Sequence, residues 1–382
     1  MKVLRVINSI DPHSGGPIEG LKLASSVMLE AGVEVEVACL NEEAAVKEEI
    51  KAMEWPVHAL GPSSLGSYGY SSAFKVWLNE NLGRFDAVII HGCWQYHGFA
   101  TALACQRIDR PYYVYPHGML DPWFNETYPL KKIKKAIYWR WGEHRVLSGA
   151  KSILFTCEEE RRLARNSFRP YRVQEYVIGY GTTVPKLDKM ARDHFHRPIE
   201  QPYFLFLGRI QEKKGIDLIV EAFSKMKGLH PELPDLVIAG PEQQPGYAKE
   251  LKASYSSDSI HWIGSVDSKM KWPLLEDAEA LVLVSHQENF GLVVAESLAM
   301  GTPVLISDKV NIWREIAEGG AGYVASDTLE GANELFENWM KQDATERALM
   351  KSRSKEVFEE HFNIRNATLR LIDFLRKESS ST

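Results

Sequence analysis

Two successive sets of short apolar segments, alternating with amphipathic helical stretches, constrain this chain more than any other feature. The first set is Val3 to Ile7, Val33 to Leu40, Ala87 to Ile90, Tyr112 to Tyr115 and Ile153 to Thr156. The second is Tyr203 to Leu207, Leu236 to Ala239, His261 to Ile263, Ala280 to Val284, Val304 to Ile306 and Tyr323 to Ala325. Short β-branched runs suit strands buried on both faces, and their alternation with helices predicts a doubly wound parallel sheet of α/β type. The pattern stops at the polar stretch Pro185 to Pro198 and then restarts, so this stretch reads as a linker. At 382 residues the chain exceeds what one core usually supports. Two domains are therefore expected, over 1–185 and 199–356. Val357 to Phe362, followed by Leu369, Leu371, Ile372, Phe374 and Leu375, keeps near-helical spacing and predicts a closing helix over about 357–378.

Composition removes several classes of function. The net charge of −6 argues against a general nucleic-acid binder, which needs a dominating basic surface. Four cysteines with no C-x-x-C pair fit reduced thiols and a cytoplasmic protein. The amino-terminal run Met1 to Ile7 enters a strand pattern directly and is interrupted by Arg5, unlike a signal peptide. No apolar stretch approaches the ~20 residues of a spanning helix.

Chemistry-bearing residues gather where predicted strands end. After Ala280 to Val284 comes His286-Gln-Glu-Asn-Phe-Gly-Leu-Val-Val-Ala-Glu296, with a helix predicted from Leu292 to Met300. Gly291 stands at the helix entrance, where the N–H groups of Phe290, Gly291 and Leu292 and the positive end of the helix dipole suit a diphosphate. Glu288 precedes the helix and Glu296 lies inside it, so one ligand could meet both. After Tyr203 to Leu207 comes Gly208-Arg-Ile-Gln-Glu-Lys-Lys-Gly215, which puts Arg209 and Lys214 at another strand end. Open α/β sheets bind ligands at such ends, and these two cations suit a diphosphate. Either stretch alone is weak, because glycine turns and charged loops are common. The pair is stronger.

With these residues in view, the chain resembles the retaining GT-B glycosyltransferases of family 4, the group 1 glycosyl transferases. G-R-x-x-x-K-K-G and E-N-F-G-L-x-x-x-E carry the resemblance, which extends over essentially the whole chain. It implies two Rossmann-like domains facing across a deep cleft, with the last helix crossing back to the amino-terminal, acceptor-binding domain. It also implies that Arg209 and Lys214 hold the donor diphosphate, Glu288 contacts the transferred sugar, and Glu296 binds the nucleotide ribose. Asn289 belongs to the same donor motif. Gly15 and Gly16, after the first strand, would close against donor phosphate and acceptor. His117, after Tyr112 to Tyr115, would contact a sugar hydroxyl. His91 reads as a structural residue, with acceptor contact as its other reading.

The expected reaction moves a hexose from a nucleotide sugar, UDP-glucose by family frequency, to a saccharide or lipid-linked saccharide. No D-x-D occurs, so no metal and no further cofactor is expected. Gly240 and Val266 would lie near the base, while Trp94, Tyr96, Trp123 and Phe124 could stack on acceptor rings or simply pack in a core. A small-glycoside synthase, a nucleotide-sugar epimerase and a noncatalytic sugar-nucleotide-binding component of a polysaccharide assembly complex remain as alternatives. Lys131 to Trp141 combines four lysines with Ile133, Ile137, Tyr138, Trp139 and Trp141. It reads either as a helix lying on anionic membrane or as one packing its apolar residues inward.

Overall fold

The structure is a computed structural model describing residues 1–12, 15–184 and 197–380. The chain divides into one unit of Met1–Tyr180 with Ile364–Thr382 and another of Gly181–Asn363. Each is built on one parallel sheet. The first sheet contains β1 Lys2–Ile7, β2 Glu34–Cys39, β3 Val57–Ala59, β4 Ala87–His91, β5 Tyr112–Tyr115, β6 Ser152–Phe155 and β7 Glu175–Val177. The second contains β8 Tyr203–Leu207, β9 Asp235–Ala239, β10 Ile260–Gly264, β11 Ala280–Leu283, β12 Val304–Ser307 and β13 Gly322–Ala325. Their orders are β3-β2-β1-β4-β5-β6-β7 and β10-β9-β8-β11-β12-β13. Both are doubly wound, and strand order reverses between β1 and β4 and again between β8 and β11. Those switch points are where ligand crevices form.

Most strands coincide with the apolar runs because their residues are buried on both faces. Tyr203–Leu207 and Ala87–His91 are buried throughout. β3 and β7 have no counterpart in the sequence reading. Each is three residues long, with partly exposed edge positions, too short to show a pattern. Most of the predicted linker, residues 185–196, lies outside the described residues.

The closing helix begins later than its apolar spacing suggests. Val357 to Phe362 belong to the second unit, where Phe358 and Phe362 are buried and Phe362 meets Phe290 edge-on at 5.6 Å. Asn363 then turns extended, at φ −73° and ψ 117°, and a separate helix runs Ile364–Ser380. This helix buries Leu371, Ile372 and Leu375 in the first unit's core with Leu21 and Met28 of the helix Gly16–Glu30. Gly181–Val184 likewise sit in the second unit, where Thr182 donates to the Phe362 carbonyl at 3.0 Å.

Leu375 is fully buried, so Leu375→Ala should lower stability by about 2–5 kcal/mol, measured by urea denaturation. Gly240 is expected to resist substitution for a backbone reason. Its φ is +142°, and a Cβ would stand 1.8 Å from the Gly208 carbonyl oxygen. Gly240→Ala should therefore lower the melting temperature and loosen the loop that carries Arg209.

Candidate active site

The second unit's switch point gathers charge. β8 ends in the loop that holds Arg209 and a short 3-10 turn, Glu212–Lys214, whereas β11 leads to Glu288. The loop returns Lys214 against Glu288, and the two form an ion pair. Glu288 is anchored through its backbone: its N–H donates to the Lys309 carbonyl at 2.9 Å, and its carbonyl accepts from Asn311 N at 3.0 Å. Burial alone would raise the Glu288 pKa. The charge and hydrogen bond of Lys214, together with the charges of Lys213 and Arg209, hold it below the usual carboxylate range. Arg209 itself is exposed.

The helix Leu292–Ala299 starts at Gly291, which adopts φ 70°, a left-handed conformation that glycine enters without strain. Its first turn has neither a side-chain cap nor an acidic residue. An anion is a suitable partner for such a terminus. Within the helix, Glu296 receives a hydrogen bond from Lys271 at 2.7 Å. Asn289 accepts a long bond from Asn311 at 3.4 Å. Phe290 is 5% exposed, which leaves its backbone rather than its ring for a ligand, and Leu292 is half-buried. Gly240 abuts Gly208 at the ends of β9 and β8. Its N–H donates to the Gly264 carbonyl at 2.8 Å, and half-buried Val266 follows two residues beyond that glycine.

The first unit's switch point is held by Arg5 of β1 and His91 of β4. Both are buried, and the Arg5 guanidinium bonds His91 Nε2 at 3.2 Å. His91 Nδ1 meets His117 Nε2 at 2.9 Å. His117 takes φ 51°, a strained conformation for a non-glycine residue. The turn is pinned from below by buried Glu160, which accepts from Gly118 N at 2.6 Å and Thr156 N at 2.8 Å. Burial and the Arg5 charge lower the His117 pKa to about 3, so the ring is neutral at pH 7. Tyr180 joins His117 to the glycine pair, with its ring edge-on to His117 at 5.7 Å and its hydroxyl donating to the Gly16 carbonyl at 3.0 Å. Gly15 caps the helix Gly16–Glu30 at φ 95°, with open space where a Cβ would point.

Among the acceptor candidates, Tyr96 and His91 are buried, which for His91 agrees with its structural reading. His91 is 3% exposed and supports His117 from beneath, so it cannot touch an acceptor in this conformation. Tyr96 is 7% exposed, its ring among Tyr68, Tyr70 and Phe74. Trp94 is half-buried against Trp139 and Phe168 and donates through its indole to the Met119 carbonyl at 3.0 Å. Trp123 and Phe124 are half-buried and pack edge-on at 5.3 Å. The sequence reading missed Arg5, Glu160, Lys213 and Lys271 as site residues. Lys213 stands inside the quoted Gly208–Gly215 motif next to Lys214, whereas Arg5, Glu160 and Lys271 lie in segments of ordinary pattern and only the fold brings them to their partners. The four cysteines are buried and none is in a disulfide.

Comparison with known proteins agrees with this architecture. A family model described as glycosyl transferases group 1 matches residues 189–357, and one described as a glycosyl transferase 4-like domain matches residues 20–181. A D-inositol 3-phosphate glycosyltransferase of Xylanimonas cellulosilytica is 32% identical over 209 residues, covering 50% of this chain and 46% of its own. A glycogen synthase of Mycobacterium tuberculosis is 31% identical over 156 residues, covering 41% of this chain and 37% of its own. The chain thus spans about half the length, or less, of the curated relatives it matches. Among solved structures, Anabaena HepE in complex with UDP and glucose superposes with a TM-score of 0.74 at 15% identity, covering 99% of this chain and 100% of that one. Sucrose-phosphate synthase of Thermosynechococcus elongatus gives 0.74 at 15% identity over 100% of both chains. At such identities the likeness establishes the fold. The two family matches together take in most of the sequence, and the chain belongs to the group 1 glycosyl transferases, with the GT-B fold.

Proposed function

We propose that the protein is a retaining, metal-independent glycosyltransferase. It moves a hexose, glucose in our reading, from a UDP-sugar to a saccharide or lipid-linked saccharide in cell-surface or exopolysaccharide synthesis. The observation that carries this reading is the uncapped helix start at Gly291, set with Arg209, Lys213 and Lys214 around Glu288. A diphosphate suits that helix terminus and those cations. Glu288 neutralises Lys214. An arriving diphosphate would draw Lys214 to itself and leave Glu288 to accept hydrogen bonds from the sugar. Glu296, steadied by Lys271, would accept from the ribose hydroxyls. His117 donates to a sugar hydroxyl.

In the reaction, the bond between the sugar's anomeric carbon and the diphosphate oxygen breaks. The acceptor oxygen bonds that carbon on the same face, and its proton passes to the departing diphosphate. Positive charge already in place stabilises the leaving group as the bond opens. The solved HepE complexes contain UDP and UDP-glucose, which supports a uridine donor.

The acceptor reading draws on the helix Pro129–Tyr138 and its continuation to Glu143. Tyr138 and Trp139 face inward, and Lys135 sits over the Trp94 ring at 4.7 Å. Leu130, Ile133, Ile137 and Trp141 recur at helical spacing and remain 83%, 61%, 66% and 76% exposed. Lys131, Lys132, Lys134 and Arg140 flank this stripe in solvent. An apolar stripe edged by cations fits an anionic lipid surface, and docking there would bring the enzyme to a lipid-linked acceptor. Among the described residues no helix is long and apolar enough to cross a membrane.

Arg209→Ala should reduce turnover on the order of 100-fold; full activity would remove this site from the mechanism. Glu296→Ala should weaken UDP binding by about 1.5–3 kcal/mol, read by titration calorimetry. Wild-type protein in EDTA should be stabilised by UDP, by ~2.7 kcal/mol at 100 times its dissociation constant, and less by GDP or ADP. Product analysis with an acceptor separates transfer from epimerisation and from binding alone. For the membrane contact, Lys131, Lys132 and Lys134 changed together to Glu, or Ile133 and Ile137 to Ser, should each weaken sedimentation with phosphatidylserine vesicles roughly tenfold or more. Unchanged sedimentation in both would end that part of the proposal.

A further inference from the structure

Arg5 is a buried cation without a carboxylate partner among the described residues. It is 1% exposed and spends its donors on the Leu21 carbonyl at 2.9 Å, Ser25 Oγ at 3.0 Å and His91 Nε2 at 3.2 Å. Burial lowers its pKa to about 10, which leaves it protonated at pH 7. Burying a charge this way is costly, and a structural role would be served as well by an apolar side chain. What a guanidinium does that an apolar group cannot is dictate the direction of hydrogen bonds. It has donors only and no acceptor.

That property propagates. His91 Nε2 must accept from Arg5 and so is unprotonated. The neutral His91 ring then carries its proton on Nδ1, which faces His117 Nε2 at 2.9 Å, with the two rings nearly parallel at 15°. His117 Nε2 must therefore accept, which places the His117 proton on Nδ1. No acceptor for that N–H occurs among the described residues, and His117 is only half-buried.

We propose that Arg5 and His91 are positioning residues that fix His117 as a neutral Nδ1–H donor directed to an oxygen of the bound ligand. This rests on the function proposed above and narrows it. His117 offers a hydrogen bond to a hydroxyl or phosphate oxygen, but it does not take the proton of an attacking hydroxyl, since Nδ1 is protonated and Nε2 is engaged. The strained turn at His117, held by Glu160, aims a donor whose tautomer is set two residues away in the hydrogen-bond chain. Buried His97, whose Nε2 meets the His91 carbonyl at 2.9 Å, steadies the end of β4 and takes no part in the relay.

The test is a long-range 1H–15N correlation spectrum of the histidine-labelled full chain at pH 7, in which protonated and bare ring nitrogens separate. His117→Gln and His91→Gln assign the signals. The expected wild-type spectrum shows both His91 and His117 as Nδ1–H tautomers. Arg5→Met should shift His117 toward the Nε2–H tautomer, and Arg5→Lys, which restores a charged donor, should return it. A wild-type His117 in the Nε2–H form, or an Arg5→Met protein that folds and keeps the wild-type pattern, overturns the proposal. Should Arg5→Met not fold, the wild-type spectrum alone decides. The spectrum needs no substrate, so a failed transfer assay leaves this inference standing, and a wrong tautomer leaves the transfer reading untouched.

Discussion

Reversal of strand order in each parallel sheet is the constraint on which both sites depend. Crossovers between parallel strands are right-handed, so a chain that builds outward first to one side and then to the other sends its helices to opposite faces. The carboxyl ends of the two central strands are then left uncovered. Gly15 follows β1, His91 ends β4, Arg209 and Lys214 follow β8, and Glu288 follows β11. Within each unit, residues far apart in sequence are brought to the same switch point for one topological reason.

The two switch points manage positive charge in different ways. In the second unit, Lys214 and Lys271 are paired with Glu288 and Glu296. These pairs are partly open to solvent, so exchanging a carboxylate for a ligand's oxygens does not strand a charge in a dry interior. In the first unit, Arg5 is sealed inside and has carbonyl, hydroxyl and imidazole partners. It cannot move to a ligand. Its influence passes outward through the direction of a hydrogen-bond chain and through its effect on the two histidines, both of which it helps to keep neutral.

The segment from Pro129 to Glu143 illustrates how tertiary packing chooses between readings of one amphipathic pattern. Its lysines and aromatics permit inward or outward placement of the apolar residues. Trp139 fills the core beside Phe168, and Lys135 lies over Trp94, which consumes one face. Leu130, Ile133, Ile137 and Trp141 occupy the remaining face and stay mostly exposed.

The sequence by itself determined the α/β class, the two successive sheets and most strand positions, because continuous apolar runs of β-branched and aromatic residues have few other solutions. Arg209, Lys214, Glu288 and Glu296 stood out as charged residues at predicted strand ends, whereas His117 was singled out only through the family resemblance. The edge strands β3 and β7 escaped it because three half-exposed residues have no readable period. The start of the returning helix escaped it because apolar spacing runs unbroken from Val357 through Phe362, while the extended backbone at Asn363 is not visible as a pattern. Only the tertiary structure placed Lys271 on Glu296, buried Tyr96 and His91, and set Arg5 beneath His117. Those are contacts between segments separated by tens of residues, created by strand pairing and helix packing, and no local spacing encodes them.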